Sequence, residues 1–486
     1  MSESTDEGVE LPNDVAPVAH VAPHVDGGIW DSIRESLRGS HRDYTEGPVP
    51  RAILMLAIPM VLEMIMESVF AVCDVFFVSK LGAGAVATVG LTESWLTLIY
   101  AIAMGLAISA SAVVARRTGE KDREGAAKAA GQAILLGVGL SAVMGVAGVM
   151  LAPRLLGVMG ASPDVIAMGT NYVRVALGGN IVIVMLFLIN AIFRGSGDAA
   201  IAMRVLWLAN AINILLGPCL IFGLGPFPEL GVTGAAVATT IGRGTGALFA
   251  LSRLLKPGSR VDIHVRHLIL DVPLIRRLVQ MGWSATFQML IGMCSWIALI
   301  RILSTFGSNV LAGYTIGIRV IIFALLPAFG VANAAATMVG QALGAKKPER
   351  AEQAVKIAAR YSTVALSIVG AVLAIFAPFI ARLFTQDPNV APFATNTLRI
   401  VALGFPFYAS GMVISQSFNG AGDTRTPTML NLLVFWLWEI PLAYALAKVF
   451  GMGPNGIYLA IAIAFSTYAV AGRIVFNRGT WKLRKV

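Results

Sequence analysis

The sequence predicts an all-α integral membrane protein with twelve transmembrane helices, arranged as two six-helix lobes that are related by a pseudo-twofold axis. Of its 486 residues, 57% are hydrophobic and only 13% are charged, whereas a typical soluble domain carries about 25% charged residues. Apolar runs of about 20 residues, which is the length that crosses a bilayer as a helix, recur along the chain. A third observation, an internal repeat, divides these runs into two equal sets.

Twelve segments have the length and the apolar character of membrane-spanning helices. We expect them at residues 52–79, 86–114, 127–151, 166–193, 199–223, 231–254, 273–304, 308–339, 354–382, 391–417, 427–449 and 455–476. These runs are too apolar to be the alternating strands of a barrel. Helix is therefore the conformation that satisfies their backbone groups in lipid.

Basic residues are concentrated in every second connection. Lys and Arg cluster after the second, sixth and eighth predicted spans and in the C-terminal tail, whereas the opposite connections carry about one each. The positive-inside rule then predicts that both termini of this multi-pass membrane protein are cytoplasmic. The formal charge of +10 is explained by these connections, so we expect no nucleic-acid partner.

A six-residue motif is repeated. Phe193–Asp198 returns as Phe418–Asp423, and the same shift of 225 residues places Gly82 on Gly307. Because six helices per half is an even number, both halves enter the membrane from the same side and form parallel repeats. Two matched lobes enclose a cleft that rocking can open to either side, which favours a transporter.

The repeat also predicts the domain organisation. We expect a disordered cytoplasmic leader (1–50), an N-lobe (51–255), a cytoplasmic linker (256–272), a C-lobe (273–476) and a basic cytoplasmic tail (477–486). A short amphipathic helix over 31–41 is the one element expected in the leader. The five histidines lie outside the predicted spans and the three cysteines lack metal-ligand spacing. We therefore predict neither an enzyme, nor a cofactor, nor a structural metal.

Acidic residues within the predicted spans are candidates for function, because each costs on the order of 2.5–3.5 kcal/mol at the bilayer centre. Glu63, Glu67 and Asp74 share one face of the first span at about 100° per residue. Clustered carboxylates in a low dielectric cannot all be ionised, so we expect this cluster to hold a proton or a cation. A simpler alternative is that Glu63 is hydrated near the cytoplasmic end and only Asp74 matters.

Other polar groups in the spans have two interpretations each. Glu93 either pairs with a basic group or faces the same cavity, and Glu439 either takes part in coupling or anchors two helices. Asn180 and Asn213 are either ligands of the site or hydrogen bonds between helices. Gly217 and Pro218 predict either a break that frees backbone carbonyls for an ion or an ordinary kink.

The order and spacing of several motifs resemble the multidrug and toxin extrusion (MATE) family of cation-coupled efflux transporters. These motifs are Ala57–Pro59, Cys73–Gly82, Phe193–Asp198, Gly231–Thr239 and Phe418–Pro427. The resemblance covers roughly residues 50–476. It implies an antiporter that exports organic cations, drugs or toxic metabolites through a central cleft, in exchange for H+ or Na+.

The resemblance also implies a coupling site. The aspartate that is central to coupling in the family matches Asp74, where Na+ would be the metal if one binds, and Asn213 matches the usual asparagine. The position four residues later usually holds Asp and is Gly217 here, so our hypothesis is that Glu63 and Glu67 compensate. Asn180 completes this candidate set, with the secondary candidates Glu93, Thr239 and Glu439. Positions where some members carry C-lobe acids hold Gly292 and Tyr408.

Aromatic rings and thioethers suit flat organic cations, although each such side chain could equally face lipid. The candidates for the substrate cleft are Met66, Phe70, Trp283, Met289, Trp296 and Tyr408. We expect a monomer whose partners are membrane lipid and a small organic cation. The alternative function is a flippase for lipid-linked or polyisoprenoid substrates, which needs a broad basic cleft, whereas only Arg243 and Arg319 lie deep in spans.

Overall fold

The structure is a computed structural model that describes residues 29–39 and 43–484. Within this part of the chain the regular elements are all helices. They are α1 (Ile29–Arg38), α2 (Val49–Ser79), α3 (Ala83–Gly119), α4 (Arg123–Val158), α5 (Pro163–Gly178), α6 (Asn180–Ser196), α7 (Ala199–Phe222), α8 (Val232–Leu254), α9 (Val272–Leu303), α10 (Ser308–Gly344), α11 (Pro348–Phe384), α12 (Ala391–Ala402), α13 (Phe405–Gly420), α14 (Arg425–Asn431), α15 (Ile440–Tyr444) and α16 (Pro454–Asn477). Two π-helical segments, Leu432–Glu439 and Ala445–Val449, make α14 and α15 parts of one continuous helix.

Each of the twelve predicted spans has a helical counterpart. The fourth consists of α5 and α6, and the tenth consists of α12 and α13, which are bent by 57°. In the described residues, ten helical segments are long and apolar enough to cross a membrane, or eleven if the bent pair is one span. Helix α8 is not among them, and it carries Arg243 near its middle. We call α2–α8 the N half and α9–α16 the C half.

The backbone repeats as the sequence does. Gly82 and Gly307, which are 225 residues apart, have φ values of 91° and 106° and begin the second helix of each half. Lys121 and Lys346, separated by the same shift, have φ values of 60° and 58°. Positive φ is uncommon for a residue other than glycine. Its recurrence at equivalent lysines shows that the halves share local backbone geometry as well as helix order.

Helices α3 and α10 cross in direct contact at the end of the molecule that carries the basic connections, which we call the basic end. A Cβ atom on Gly119 would overlap the carbonyl oxygen of Gln341, and one on Gly344 would overlap that of Arg116. Gln341 and Arg116 are themselves 225 residues apart, so the crossing is pseudo-symmetric. Glycine is required here because the two backbones touch, and the contact joins the two halves at this end.

The first helix of each half also packs against the opposite half. Ile53, Leu56 and Met60 of α2 are buried in one core with the helices of the C half. Leu278 and Met281 of α9 are buried in a second core with the helices of the N half. The two halves are therefore interlocked by α2 and α9 rather than separated along their whole length.

Part of the predicted leader, residues 29–39 and 43–50, is described by the structure. Helix α1 forms near the predicted position, and the following turn lies across the basic end. Arg350 of the C half donates hydrogen bonds to the carbonyl oxygen of Tyr44 (2.7 and 3.0 Å), and Lys121 of the N half lies 3.4 Å from Asp43. Basic side chains of both halves thus order this segment. Residues 1–28 and 40–42 of the leader lie outside the described residues.

The C-terminal tail is docked at the same end. Trp481 is fully buried and stacks on Phe476 with ring centroids 4.8 Å apart. Lys482 forms a 2.6 Å ion pair with Glu352. Hydrophobic burial and this ion pair hold the tail as far as residue 484, where the described chain ends.

The predicted linker between the halves is tied to α4. Gln132 donates hydrogen bonds to the carbonyl oxygens of His267 and Ile269, both at 2.8 Å. The ammonium of Lys128, 2.6 Å from Asp271, lowers the pKa of that carboxyl. A lowered folded-state pKa stabilises the fold above the unfolded pKa of about 3.9, and the effect is lost as the pH falls through the folded value. The ion pair is therefore present at neutral pH.

The close contact between α3 and α10 should contribute to the stability of the fold. We expect Gly119→Ala to lower the free energy of unfolding by about 1–3 kcal/mol, because the added methyl group forces two touching backbones apart. Thermal unfolding of the detergent-solubilised protein measures this change. Gly90→Ala in the same helix is the matched control, because a Cβ there meets nothing within 4 Å. Equal melting temperatures for the two variants would contradict this contribution of the contact.

Candidate functional site

A cavity of about 280 Å³ lies inside the N half, between α2, α3, α5, α6 and α8. Its wall combines carboxyl, guanidinium, phenol and threonine hydroxyl groups with apolar side chains. The lining residues are Phe70, Ala71, Asp74, Glu93, Leu96, Thr97, Tyr100, Tyr172, Ala176, Val182, Ile183, Ala236, Thr239, Thr240 and Arg243. The volume is near the lower end of the range of about 300–1,000 Å³ for small-molecule sites. The cavity therefore accommodates an ion together with a small ligand group.

Glu67 is neutralised by an arginine beside this cavity. One of its carboxylate oxygens lies 3.1 Å from Nη2 of Arg243, and the other accepts a hydrogen bond from Asn210 at 3.1 Å. The Arg243 side chain is only 3% exposed. Its guanidinium lies 5.3 Å from the ring centroid of Phe70 and 5.7 Å from that of Tyr100. The rings of Phe70 and Tyr100, which would suit an organic cation, are therefore already in contact with the guanidinium of Arg243.

Glu63 lies in different surroundings, toward the basic end. Its carboxylate is 2.6 Å from Nη1 of Arg194 and 3.5 Å from the amide nitrogen of Asn190. The carbonyl oxygen of Arg194 accepts a hydrogen bond from Thr337 of the C half at 3.2 Å. Glu63 therefore belongs to the interlocked region between the halves and is not part of the cavity wall.

Asp74 and Glu93 are the carboxyl groups of the cavity wall. Asp74 extends from α2 and Glu93 from α3. Among the ion pairs of residues 29–39 and 43–484, none includes either side chain. The three carboxyl groups of α2 thus all point toward the N half, as their spacing predicts, but only Asp74 is left without an arginine at ion-pair distance.

Asn213 and Thr239 lie together at the edge of the cavity. The amide of Asn213 donates a 2.8 Å hydrogen bond to the hydroxyl of Thr239. Helix α7 is continuous from Ala199 to Phe222, so Gly217 and Pro218 produce no break in it. A Cβ at Gly217 would lie 3.9 Å from the ring of Phe77. The Gly217 position therefore has room for a side chain.

Asn180 is not in the wall of the cavity. Its amide nitrogen donates to the carbonyl oxygens of Leu177, at 2.6 Å, and Ser141, at 3.1 Å. These hydrogen bonds fasten the junction of α5 and α6 to α4. The structure thus favours the interpretation of Asn180 as a contact between helices.

Among the candidate substrate contacts, Phe70 lines the cavity and Met66 does not. Sequence reasoning did not identify Tyr100 and Tyr172, which contribute phenol groups to the wall, and it considered Arg243 only as a deep basic residue. A phenol in an apolar span gives little signal in a single sequence, because tyrosine is equally common at membrane interfaces.

The remaining candidates are in the C half and do not line this cavity. Trp283 is 64% exposed, which places it on the outer surface of α9. Met289 is half-buried, and Tyr408 packs on Phe465 with centroids 4.2 Å apart. Trp296 donates a hydrogen bond to the hydroxyl of Tyr314 at 3.1 Å.

Glu439 is also in the C half, outside the cavity. Its side chain is buried, and it contacts the hydroxyl of Ser295 on α9 at 3.1 Å. It lies at the end of the π-helical segment Leu432–Glu439.

Proteins of similar sequence and structure are transporters by name. The chain is 25% identical over 463 residues to "Probable multidrug resistance protein NorM" of Thermotoga maritima, covering 93% of this chain and 98% of that protein. It is 26% identical to "FAD transporter" of Shewanella oneidensis, covering 88% and 95% of the two chains. The cargo named in these titles differs, although the match is nearly full-length in both.

Solved structures agree over a similar extent. A structure titled "Outward-facing conformation of a multidrug resistance MATE family transporter of the MOP superfamily" matches with a TM-score of 0.85 and 28% identity, over 90% of this chain and 97% of that chain. A MOP superfamily transporter from Pyrococcus furiosus, whose title reports a binding pocket of reverse polarity, gives a TM-score of 0.85 at 27% identity, over 93% and 99%. These matches confirm the predicted two-lobed helical fold.

A family model matches the chain twice, once in each half. The model is described as MatE, and it matches residues 59–219 and 285–445. The double match agrees with the internal repeat and confirms the resemblance seen in the motifs. The chain belongs to the MatE family of multi-pass membrane transporters.

Proposed function

We propose that the protein is a secondary active antiporter that exports small organic cations, drugs or toxic metabolites by rocking of its two halves. One observation carries this proposal. Asp74 and Glu93 line the N-half cavity and have no ion-pair partner among the described residues, whereas Glu63 and Glu67 are each held by an arginine. Unpaired carboxyl groups in a low dielectric bind a cation or a proton. The names of the related proteins support drug export.

The coupling ion in this proposal is H+, with Na+ as the alternative. A proton neutralises a carboxylate without needing a shell of oxygen ligands. Proton binding to Asp74 or Glu93 removes negative charge from the cavity and weakens the attraction for an organic cation. Proton and substrate then compete for the same charges. Because a ligand shifts only those states that it distinguishes, this competition lets the proton gradient drive export.

Glu63 and Glu67 receive a different role from the one that their positions suggested. We infer that they hold Arg194 and Arg243 in place rather than compensate for Gly217. Breaking a buried ion pair by removing one partner is strongly destabilising. The coupling site in this proposal is therefore Asp74 with Glu93, and Asn213 and Thr239 form its edge.

The orientation follows from the basic end. We place this end and both termini in the cytoplasm of a bacterial cell, with the protein a monomer in the plasma membrane. The conformation described here is then closed toward the cytoplasm by the crossing of α3 and α10. The flippase alternative is less well supported, because Arg243 is already bound by Glu67 and is not free to hold a phosphate group.

The first test concerns the carboxyl groups without partners. We expect Asp74→Asn and Glu93→Gln each to lower gradient-driven efflux of a fluorescent organic cation by at least about tenfold, which corresponds to about 1.4 kcal/mol. The measurement uses reconstituted vesicles with separately imposed pH and Na+ gradients. Asp164→Asn, at the exposed start of α5, is the matched control and should retain full efflux. Wild-type efflux by both variants would contradict the assignment of the coupling site.

A second test concerns the pair of Glu67 and Arg243. We expect Glu67→Gln to lower the free energy of unfolding by on the order of 3 kcal/mol, because it leaves a buried guanidinium without its counter-ion. The double variant Glu67→Leu with Arg243→Met removes both charges and should regain most of this stability. Thermal unfolding in detergent compares the variants. A double variant as unstable as the single one would show that the pairing does not account for the loss.

A further inference from the structure

Glu439 is a buried carboxyl group of the C half that the N-half site does not use. Glu439 is 4% exposed and lies on the helix that runs from Arg425 to Val449. In the described part of the chain, no ion pair includes it. A carboxylate without a counter-ion in such surroundings is costly, so the group must be neutralised in another way.

The titratable neighbours of Glu439 do not supply positive charge. In the described residues, Tyr314 of α10 and Tyr408 of α13 are titratable groups that interact with it. Tyr458 of α16 stacks on Tyr314 with centroids 6.1 Å apart. Phenols are neutral at physiological pH. The groups that face Glu439 from the surrounding helices can therefore form hydrogen bonds with it but cannot balance an ionised carboxylate.

The hydroxyl group of Ser295 has two contacts that bear on the protonation state of Glu439. Its hydroxyl oxygen lies 2.7 Å from the carbonyl oxygen of Phe435 and 3.1 Å from Oε2 of Glu439. A serine hydroxyl has one hydrogen to donate and two lone pairs that accept. A backbone carbonyl cannot donate, so the shorter contact takes the serine hydrogen. A protonated carboxyl group supplies the hydrogen for the longer contact, so that Glu439 donates to Ser295 and Ser295 donates to the carbonyl oxygen of Phe435.

The backbone that carries Phe435 and Glu439 is also unusual. Phe435 and Glu439 both lie in the π-helical segment Leu432–Glu439. In a π-helix each carbonyl is offset from its ordinary partner four residues along, and such segments are frequent at functional sites. The carbonyl of Phe435 accepts from a side chain on α9. The π-helical backbone, Ser295 and the carboxyl group of Glu439 thus form one connected chain of hydrogen bonds.

We propose that Glu439 is a proton-binding site of the C half, separate from the N-half cavity, and that it is protonated in the conformation described here. The proton is shared with Ser295 and links α9 to the helix Arg425–Val449. One consequence rests on the proposed antiport function. A neutral Glu439 leaves the negative charge in the N half, so an organic cation is drawn to Asp74 and Glu93 rather than to the C half.

Infrared spectroscopy of the purified protein at neutral pH tests this proposal, because a protonated carboxyl group has a C=O stretching band that a carboxylate lacks. We expect a component of this band to disappear in Glu439→Gln and to remain in Asp74→Asn. The exposed Glu349→Gln is the control for a carboxyl group outside the membrane and should leave the component unchanged. An identical band in wild type and Glu439→Gln would overturn the proposal.

A second variant keeps the test decisive if Glu439→Gln does not fold. Ser295→Ala retains the carboxyl group but removes its hydrogen-bond acceptor, so we expect the component to persist at a shifted frequency. An unshifted component in Ser295→Ala would also overturn the proposal. These spectra need no gradient. Loss of coupled transport in Asp74→Asn and loss of the infrared component in Glu439→Gln are therefore separate results.

Discussion

The free-energy cost of burying a charge explains how the acidic residues of the spans are paired. In the lipid-embedded interior, a charged side chain must have a partner or give up its charge. Glu63 meets Arg194, and Glu67 meets Arg243. Asp74 and Glu93 have no such partner, and their place in the wall of a cavity gives a mobile ion access to them. In the proposed antiporter, the arginines thus determine which acids are available for coupling.

A second constraint is the contact between the halves. Gly119 and Gly344 let α3 and α10 touch at the basic end, and α2 and α9 each pack into the opposite half. The leader turn and the C-terminal tail lie over the same end. In the proposed mechanism, rocking of the halves breaks this pseudo-symmetric contact, while the N-half cavity between α2, α3, α5, α6 and α8 moves as one unit. The geometry therefore separates the part that opens from the part that binds.

The sequence predicted the architecture well. The length of the apolar runs, the basic connections and the 225-residue repeat can all be read along the chain, without knowledge of contacts between distant residues. It also predicted that the carboxyl groups of α2 share one face. It could not predict that Arg194 and Arg243 neutralise two of them, since those contacts join residues more than 100 positions apart. It could not predict the contacts of the leader turn either, since these also join distant residues. Distant basic side chains, such as Arg350, hold that segment through its backbone carbonyls.

In the proposed mechanism, a proton and an organic cation compete for Asp74 and Glu93. The most direct measurement is proton release from the detergent-solubilised protein when a flat organic cation such as ethidium is added, followed with a pH indicator in weakly buffered solution. The account predicts that wild-type protein releases protons and that the double variant Asp74→Asn with Glu93→Gln releases none. Equal release by both proteins would contradict it.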